Sequence, residues 1–160
     1  MELIVLFLII ALCALALPFQ RKSAKNIYNY RAKSKIMTSA EMRFHTKLLE
    51  VFTDNRYYVY PQVHLATFLE HKIKGQNWKG AFLHINGKSI DFLIVRKDNL
   101  SVVCAIELDD YTHDRVDRIE RDKEIERIFE QAKIPLIRFR DSRISSEDLI
   151  KQIKIKISHS

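Results

Sequence analysis

Three acidic side chains beside two apolar runs are the residues in this chain best suited to chemistry. Glu107 and Asp109 follow the apolar run 102–106, and Asp91 lies in the run 90–95. An ionised carboxylate inside a sheet is costly unless it is paired or holds a cation. Strand side chains alternate between faces, so Glu107 and Asp109 point the same way, and Asp91 joins them if the runs are neighbouring strands. Because hard oxygen ligands suit Mg²⁺ or Mn²⁺, the sequence predicts a metal site here.

The elements that must position these carboxylates follow an α/β order. Apolar periodicity predicts a helix at 39–52, strands at 57–60, 88–95 and 100–108, a helix at 115–133, a strand at 135–139 and a last helix from residue 145. Residues 66–87 show no clear period, and we expect this segment to be part helix and part loop. We expect a three-layer α/β/α domain with a mixed central sheet. The first three strands are antiparallel neighbours, and the last, reached by a helical crossover, lies parallel to the strand before the crossover.

Net charge is unevenly distributed along the 160 residues. The chain carries a formal charge of +7, but residues 20–40 hold six basic and no acidic side chains. From Glu41 onward there are 21 basic and 19 acidic residues. The basic excess therefore does not by itself indicate that the folded domain binds nucleic acid. The two cysteines have neither the spacing of a metal ribbon nor that of a disulfide framework.

The chain begins with an apolar segment. Residues 3–19 form an apolar run of 17 residues, at the short end of the range for a membrane-spanning helix. Glu2 precedes the run and basic residues follow it, the reverse of a secretory signal. We predict a transmembrane anchor at 1–19, a basic juxtamembrane linker at 20–37 and a folded domain at 38–160. The charge bias places that domain in the cytoplasm, at the inner membrane. A cleaved signal is the alternative.

The acidic residues also resemble a known pattern. Glu41 on the first helix, Asp91 on one strand and Glu107-x-Asp109 on the next resemble the restriction-endonuclease-like PD-(D/E)XK superfamily. More particular segments resemble uncharacterised bacterial domains related to very-short-patch mismatch-repair endonucleases; these segments are 60–63, 107–113, 121–122 and 134–139. The resemblance spans about residues 38–152.

This resemblance implies a metal-dependent nuclease that hydrolyses phosphodiester bonds in DNA. By the superfamily pattern, Asp91 and Glu107 hold Mg²⁺ or Mn²⁺, and the backbone carbonyl of Leu108 is a further ligand. Such an ion polarises the scissile phosphate and activates water near neutral pH.

The remaining site residues follow from the same resemblance. The superfamily has a catalytic lysine two residues after the second acid, where this chain has Asp109. The mismatch-repair relatives also lack that lysine and rely on histidines, so His113 is the substitute for acid–base work. Glu41 orients a metal-bound water, and Arg121 and Arg138 contact phosphate.

Simpler roles compete with these assignments. Asp91 closes a turn, Asp109 caps the following helix, Glu41 completes a capping box, or His113 is an ordinary loop residue. The alternative function is a catalytically inactive module of nuclease fold that binds nucleic acid or a protein partner at the membrane.

Overall fold

The computed structural model describes residues 28–53, 55–109 and 116–158, with side chains except at 116–119 and 158. The chain divides into two compact units, Met1–Lys33 and Ser34–Ser160. In the first unit, residues 28–33 form neither helix nor strand. The predicted anchor at 1–19 lies outside the described residues. None of the helices in the three described ranges has the length and apolar character that crossing a bilayer requires.

The second unit is built on a four-stranded mixed sheet. Its strands lie in the order β1-β2-β3-β4; their bounds are β1 Tyr57–His64, β2 Ser89–Arg96, β3 Val102–Leu108 and β4 Leu136–Phe139. The first three strands pair antiparallel, and β4 runs parallel to β3. The predicted α/β class, mixed sheet and strand directions are confirmed.

Helices cover both faces of this sheet. In chain order they are α1 Ser39–Val51, α2 Leu65–Phe68, α3 Trp78–Ile85, α4 Val116–Ala132 and α5 Ser146–Ser158. One apolar cluster joins α1 and α5 to the sheet, with Phe44 in contact with the rings of Phe92 and Phe139. A second cluster joins α2, α3 and α4 to the opposite face around Phe129. The sheet is therefore the middle layer of three.

Strand β2 is irregular near its start, at the position of Asp91. Phe92 belongs to the first cluster, whereas Ile90 belongs to the second. In a regular strand these two residues would share a face because side chains alternate. The neighbouring Gln62 on β1 has a φ of +53°, a left-handed conformation uncommon for a residue with a side chain. The backbone distortion thus coincides with the acidic residue of interest.

One segment differs from the sequence-based prediction, and a second agrees with it. Strand β1 continues through Pro61 to His64 rather than ending at Tyr60. Proline is tolerated there because β1 is an edge strand, where a missing N–H costs no ladder partner. Residues 66–87 contain most of α2 and all of α3. These helices are too short to show a helical period in the sequence.

Adjacent leucines on α1 test the packing of the first cluster. Leu48 is fully buried and Leu49 is 50% exposed. We expect Leu48→Ala to lower the free energy of unfolding by about 2–5 kcal/mol, because it leaves a cavity in the core. Leu49→Ala, the same change one residue away, should cost about 1 kcal/mol or less. Urea denaturation measures both; equal losses would contradict the assigned face of α1.

Candidate functional site

The candidate site lies at one end of the sheet. Antiparallel pairing sets the start of β2 beside the end of β3, since Phe92 pairs with Ile106. Parallel pairing sets the end of β4 there too, with Glu107 opposite Arg138. Asp91, Glu107, Asp109 and Arg138 therefore meet at the same edge, although they come from three strands.

Asp91 is held by two donors. Its Oδ2 accepts a hydrogen bond from the backbone N–H of Leu108 at 2.8 Å, and its Oδ1 lies 3.5 Å from the Nε2 of Gln62. Burial raises the pKa of Asp91, the Leu108 N–H opposes that rise, and the charge of Glu41 adds to it. The backbone carbonyl of Leu108 was predicted to be a metal ligand; the structure shows that the N–H of the same residue binds Asp91. The carboxylate is thus fixed at the junction of β2 and β3.

Glu41 caps α1 and also contacts a residue that binds Asp91. Its Oε2 accepts the backbone N–H of Thr38, while its own N–H donates to the Thr38 hydroxyl at 3.2 Å. These bonds complete the predicted capping box of α1. Its other oxygen, Oε1, accepts a hydrogen bond from Gln62 Nε2 at 3.2 Å. Glu41 is therefore both a helix cap and a neighbour of Asp91.

Gln62 is a site residue that sequence reasoning missed. Its amide bridges Glu41 and Asp91, and so links α1 to β2. The positive φ of Gln62 belongs to a conformation that costs of order 1–3 kcal/mol and is often found at functional sites. The segment 60–63 had contributed to the family resemblance, but no side-chain role followed from it.

Arg138 lies opposite a group of four carboxylates, here called the Arg138 cluster. Its nearest contacts are Glu107 at 3.2 Å, Asp109 at 3.2 Å, Asp122 at 3.4 Å and Glu126 at 3.5 Å. The side chains of Arg138 and Glu107 are only 19% and 12% exposed. Arg138, predicted to contact phosphate, is thus engaged within the protein by carboxylates from β3 and α4.

Glu107 is the most perturbed carboxyl group of the site. Burial raises its pKa from the ordinary 4.5 to about 7. Arg138 lowers that pKa, but Asp91, Asp109 and Asp122 raise it further. One guanidinium shared among four carboxylates does not neutralise them all. The surplus negative charge makes this end of the sheet attractive to cations.

The chemistry of the donors fits a hard cation, but they are not grouped around one. Among residues 28–53, 55–109 and 116–158, no three His, Cys, Asp or Glu side chains form a group that could hold a metal ion. Asp91 binds Leu108 and Gln62, while Glu107 and Asp109 bind Arg138. Carboxylates remain the ligand type that Mg²⁺ and Mn²⁺ prefer. Metal binding at Asp91 and Glu107 would therefore occur beside the contact between Glu107 Oε2 and Arg138.

Comparison with known proteins gives one match. A family model described as a protein of unknown function (DUF2726) matches residues 33–157. The chain belongs to the DUF2726 family. No curated protein and no solved structure matches it. The match covers all five helices but the last residue of α5, and all four strands.

Two other residues of this DUF2726 domain were predicted to belong to the site. Arg121 is exposed on α4. His113 lies outside the described residues.

A second residue that sequence reasoning missed is His45, which lies one helical turn after Glu41. The ring of His45 stacks on that of Phe92, with centroids 5.8 Å apart. The Nε2 of His45 is buried and has no hydrogen-bond partner among the described residues. The sequence could have indicated His45, because residues four apart on a helix, such as Glu41 and His45, lie on the same face.

The pKa of Glu107 predicts how the stability of this DUF2726 protein depends on pH. Between pH 4.5 and about 7 the folded state keeps a proton that the unfolded state releases. The stability contribution is complete below pH 4.5 and is lost as the pH rises through 7. With EDTA present, we expect the unfolding free energy of wild type to fall relative to Glu107→Gln by up to about 3 kcal/mol.

The control for that comparison is Glu120→Gln, which changes an exposed glutamate on α4 in the same way. Its denaturation curves should follow those of wild type at every pH. If wild type and Glu107→Gln showed the same pH dependence, Glu107 would not carry a raised pKa.

Proposed function

We propose that this protein is a metal-dependent nuclease-like phosphodiesterase related to the PD-(D/E)XK superfamily, acting on DNA. The observation that carries the proposal is the meeting of Asp91 and the largely buried Glu107 at one sheet end, where four carboxylates share the guanidinium of Arg138. A group of acids that destabilises the fold when ionised has a physical rationale if a cation binds there. The mixed sheet and its helical crossover agree with the resemblance.

Asp91 and Glu107 are the proposed holders of Mg²⁺ or Mn²⁺, with the Leu108 carbonyl as a third donor. When bound, the ion supplies Lewis acidity toward the scissile phosphate and activates water. Gln62 and the Leu108 amide keep Asp91 in place, and Gln62 ties Glu41 to it. Glu41 is thereby positioned to orient a water molecule, and His113 is the proposed proton-transfer group.

Arg138 is the proposed substitute for the catalytic lysine that the superfamily has and this chain lacks. Asp109 occupies the position two residues after Glu107, and it contacts Arg138 from the neighbouring strand. We propose that Arg138, on β4, is the cation that replaces this lysine beside the metal site. A guanidinium stays protonated at all accessible pH values. To stabilise phosphate charge it must exchange one of the carboxylates that it contacts, and proton transfer falls to another group.

The N-terminal segment completes the proposal. An apolar run at 3–19 followed by six basic residues supports a single-pass anchor at the inner membrane, with the domain on the cytoplasmic side. DNA near the membrane is the corresponding substrate.

A specific observation favours the second candidate, a non-catalytic module. Glu107 and Asp109 are already paired with Arg138. A site whose acids are partly neutralised by the protein itself has less need of a metal ion. Such a module binds nucleic acid or a protein partner at the membrane without hydrolysis.

Nuclease assays separate the two functions. The purified full-length chain is incubated with single-stranded, nicked and duplex DNA in Mg²⁺, Mn²⁺ or EDTA. We expect cleavage that requires the metal and falls by at least about 100-fold in Glu107→Ala and Asp91→Asn, since even groups that only support metal ligands contribute 10- to 100-fold. Asp98→Asn, the same change in the exposed β2–β3 turn, is the control and should cleave normally.

Thermal unfolding with Mn²⁺ gives an independent readout. A metal that binds only the folded state at 100 times its Kd adds about 2.7 kcal/mol of stability. We expect stabilisation in wild type and Asp98→Asn and little in Asp91→Asn. Cleavage that survives Glu107→Ala would contradict the assigned site. An intact chain that neither cleaves nor gains stability with metal would support the non-catalytic module instead.

A further inference from the structure

A second surface lies on α3, a helix that carries none of the carboxylates of the candidate site. Trp78, the chain's only tryptophan, is the first residue of α3 and is 47% exposed. The Nζ atoms of Lys72 and Lys79 lie 5.8 Å and 5.6 Å from the centroid of its ring. Both distances are within the range of cation–π attraction. We call these three residues the Trp78 platform.

The platform is uncovered and locally basic. Residues 72–80 are all exposed in the described structure. Segment 69–88 contains four lysines and two histidines but a single acid, Glu70. The Glu70 carboxylate accepts the backbone N–H of Lys72 at 2.7 Å. The charge balance of this segment is thus opposite to that of the Arg138 cluster.

The chemistry of the platform matches a nucleic-acid strand. Proteins bind single strands by stacking bases on aromatic side chains while cationic side chains neutralise the phosphates. The lysine ammonium groups are carried on flexible stems, so a base can displace one from the ring and leave it near a phosphate. A purely apolar partner would gain nothing from two ammonium groups beside the ring. Charge complementarity therefore favours a polyanion that also carries flat rings.

We propose that the Trp78 platform stacks an unpaired base of a nucleic-acid strand, while Lys72 and Lys79 contact the adjoining phosphates. The choice of nucleic acid as the ligand rests on the proposed nuclease function. Helix α3 spans about 10 Å from Trp78 to Ile85. Strand β2 follows at Ser89, two residues before Asp91, and the backbone N–H of Leu65 holds the connecting turn through Lys88 O. A nucleic-acid strand bound at the platform would thus contact the helix that comes directly before β2, the strand that carries Asp91, in the chain.

The platform needs no metal ion, so it is tested in EDTA, separately from cleavage. The tryptophan fluorescence of the full-length chain, excited at the long-wavelength edge where its tyrosines do not absorb, reports on Trp78 alone. We expect single-stranded oligothymidylate to quench it by stacking. An abasic oligonucleotide of equal length carries the phosphates without the bases, and should bind more weakly without quenching. A synthetic polyanion without rings should behave like the abasic strand.

Affinities are measured with a labelled oligothymidylate by fluorescence anisotropy. Trp78→Ala should weaken binding by about 5- to 150-fold, whereas Trp78→Phe should retain most of the affinity because it keeps a ring. Lys72→Ala and Lys79→Ala should each lower the slope of log affinity against log salt by about 0.7. Matched controls are Leu83→Ala on the same helix and Lys154→Ala on α5, both exposed; neither should change binding.

Three results would overturn the platform: equal quenching by the abasic strand, unchanged affinity in Trp78→Ala, or binding of a protein partner at Trp78 with none of DNA or RNA. Glu107→Ala separates this proposal from the catalytic one. It should bind the oligonucleotide like wild type in EDTA even though it no longer cleaves. Cleavage without quenching would support the nuclease and contradict base stacking at the Trp78 platform. Quenching without cleavage would support base stacking and contradict the nuclease.

Discussion

On the last strand of the sheet, the guanidinium of Arg138 faces carboxylates from β3 and α4, and this contact constrains the acidic end of the molecule. Parallel pairing sets Arg138 directly opposite Glu107. Because Glu107 is largely buried, removing Arg138 would leave its charge uncompensated at high cost, whereas Arg138 without Glu107 would keep three other carboxylate contacts. The same contact decides how available Glu107 is to a cation. The fold and the proposed chemistry therefore depend on one ion pair.

The opposite side of the site depends on Gln62 rather than on charge. Its left-handed backbone directs an amide between Glu41 and Asp91, which would otherwise repel each other. The raised pKa of Asp91 reflects burial and the nearby Glu41. Gln62, on the edge strand β1, thus holds two acids, whereas Arg138, on β4 at the opposite edge of the sheet, contacts four. Between them lie Asp91 and Glu107, joined through the Leu108 amide.

Much of this arrangement was predictable from the sequence, and the exceptions have physical reasons. Strand alternation and the crossover rule were enough to predict the mixed sheet and the approach of Asp91 to Glu107. The role of Gln62 depends on a positive φ that no propensity indicates. The four contacts of Arg138 depend on the β3–β4 register and on the approach of α4. Neither can be predicted from the spacing of residues within a short segment. Here Asp109, expected to be a metal ligand or a helix cap, contacts Arg138.

A double-mutant cycle between Glu107 and Arg138 tests the central claim most directly. The free energies of unfolding of wild type, Glu107→Gln, Arg138→Gln and the double variant are measured at pH 8 in EDTA. We predict that Arg138→Gln costs several kcal/mol in the wild-type background, because it leaves Glu107 buried and unpaired, and much less once Glu107 is neutral. A coupling energy above about 1 kcal/mol supports the account. Additive effects would contradict it, because the ion pair would then not organise the site.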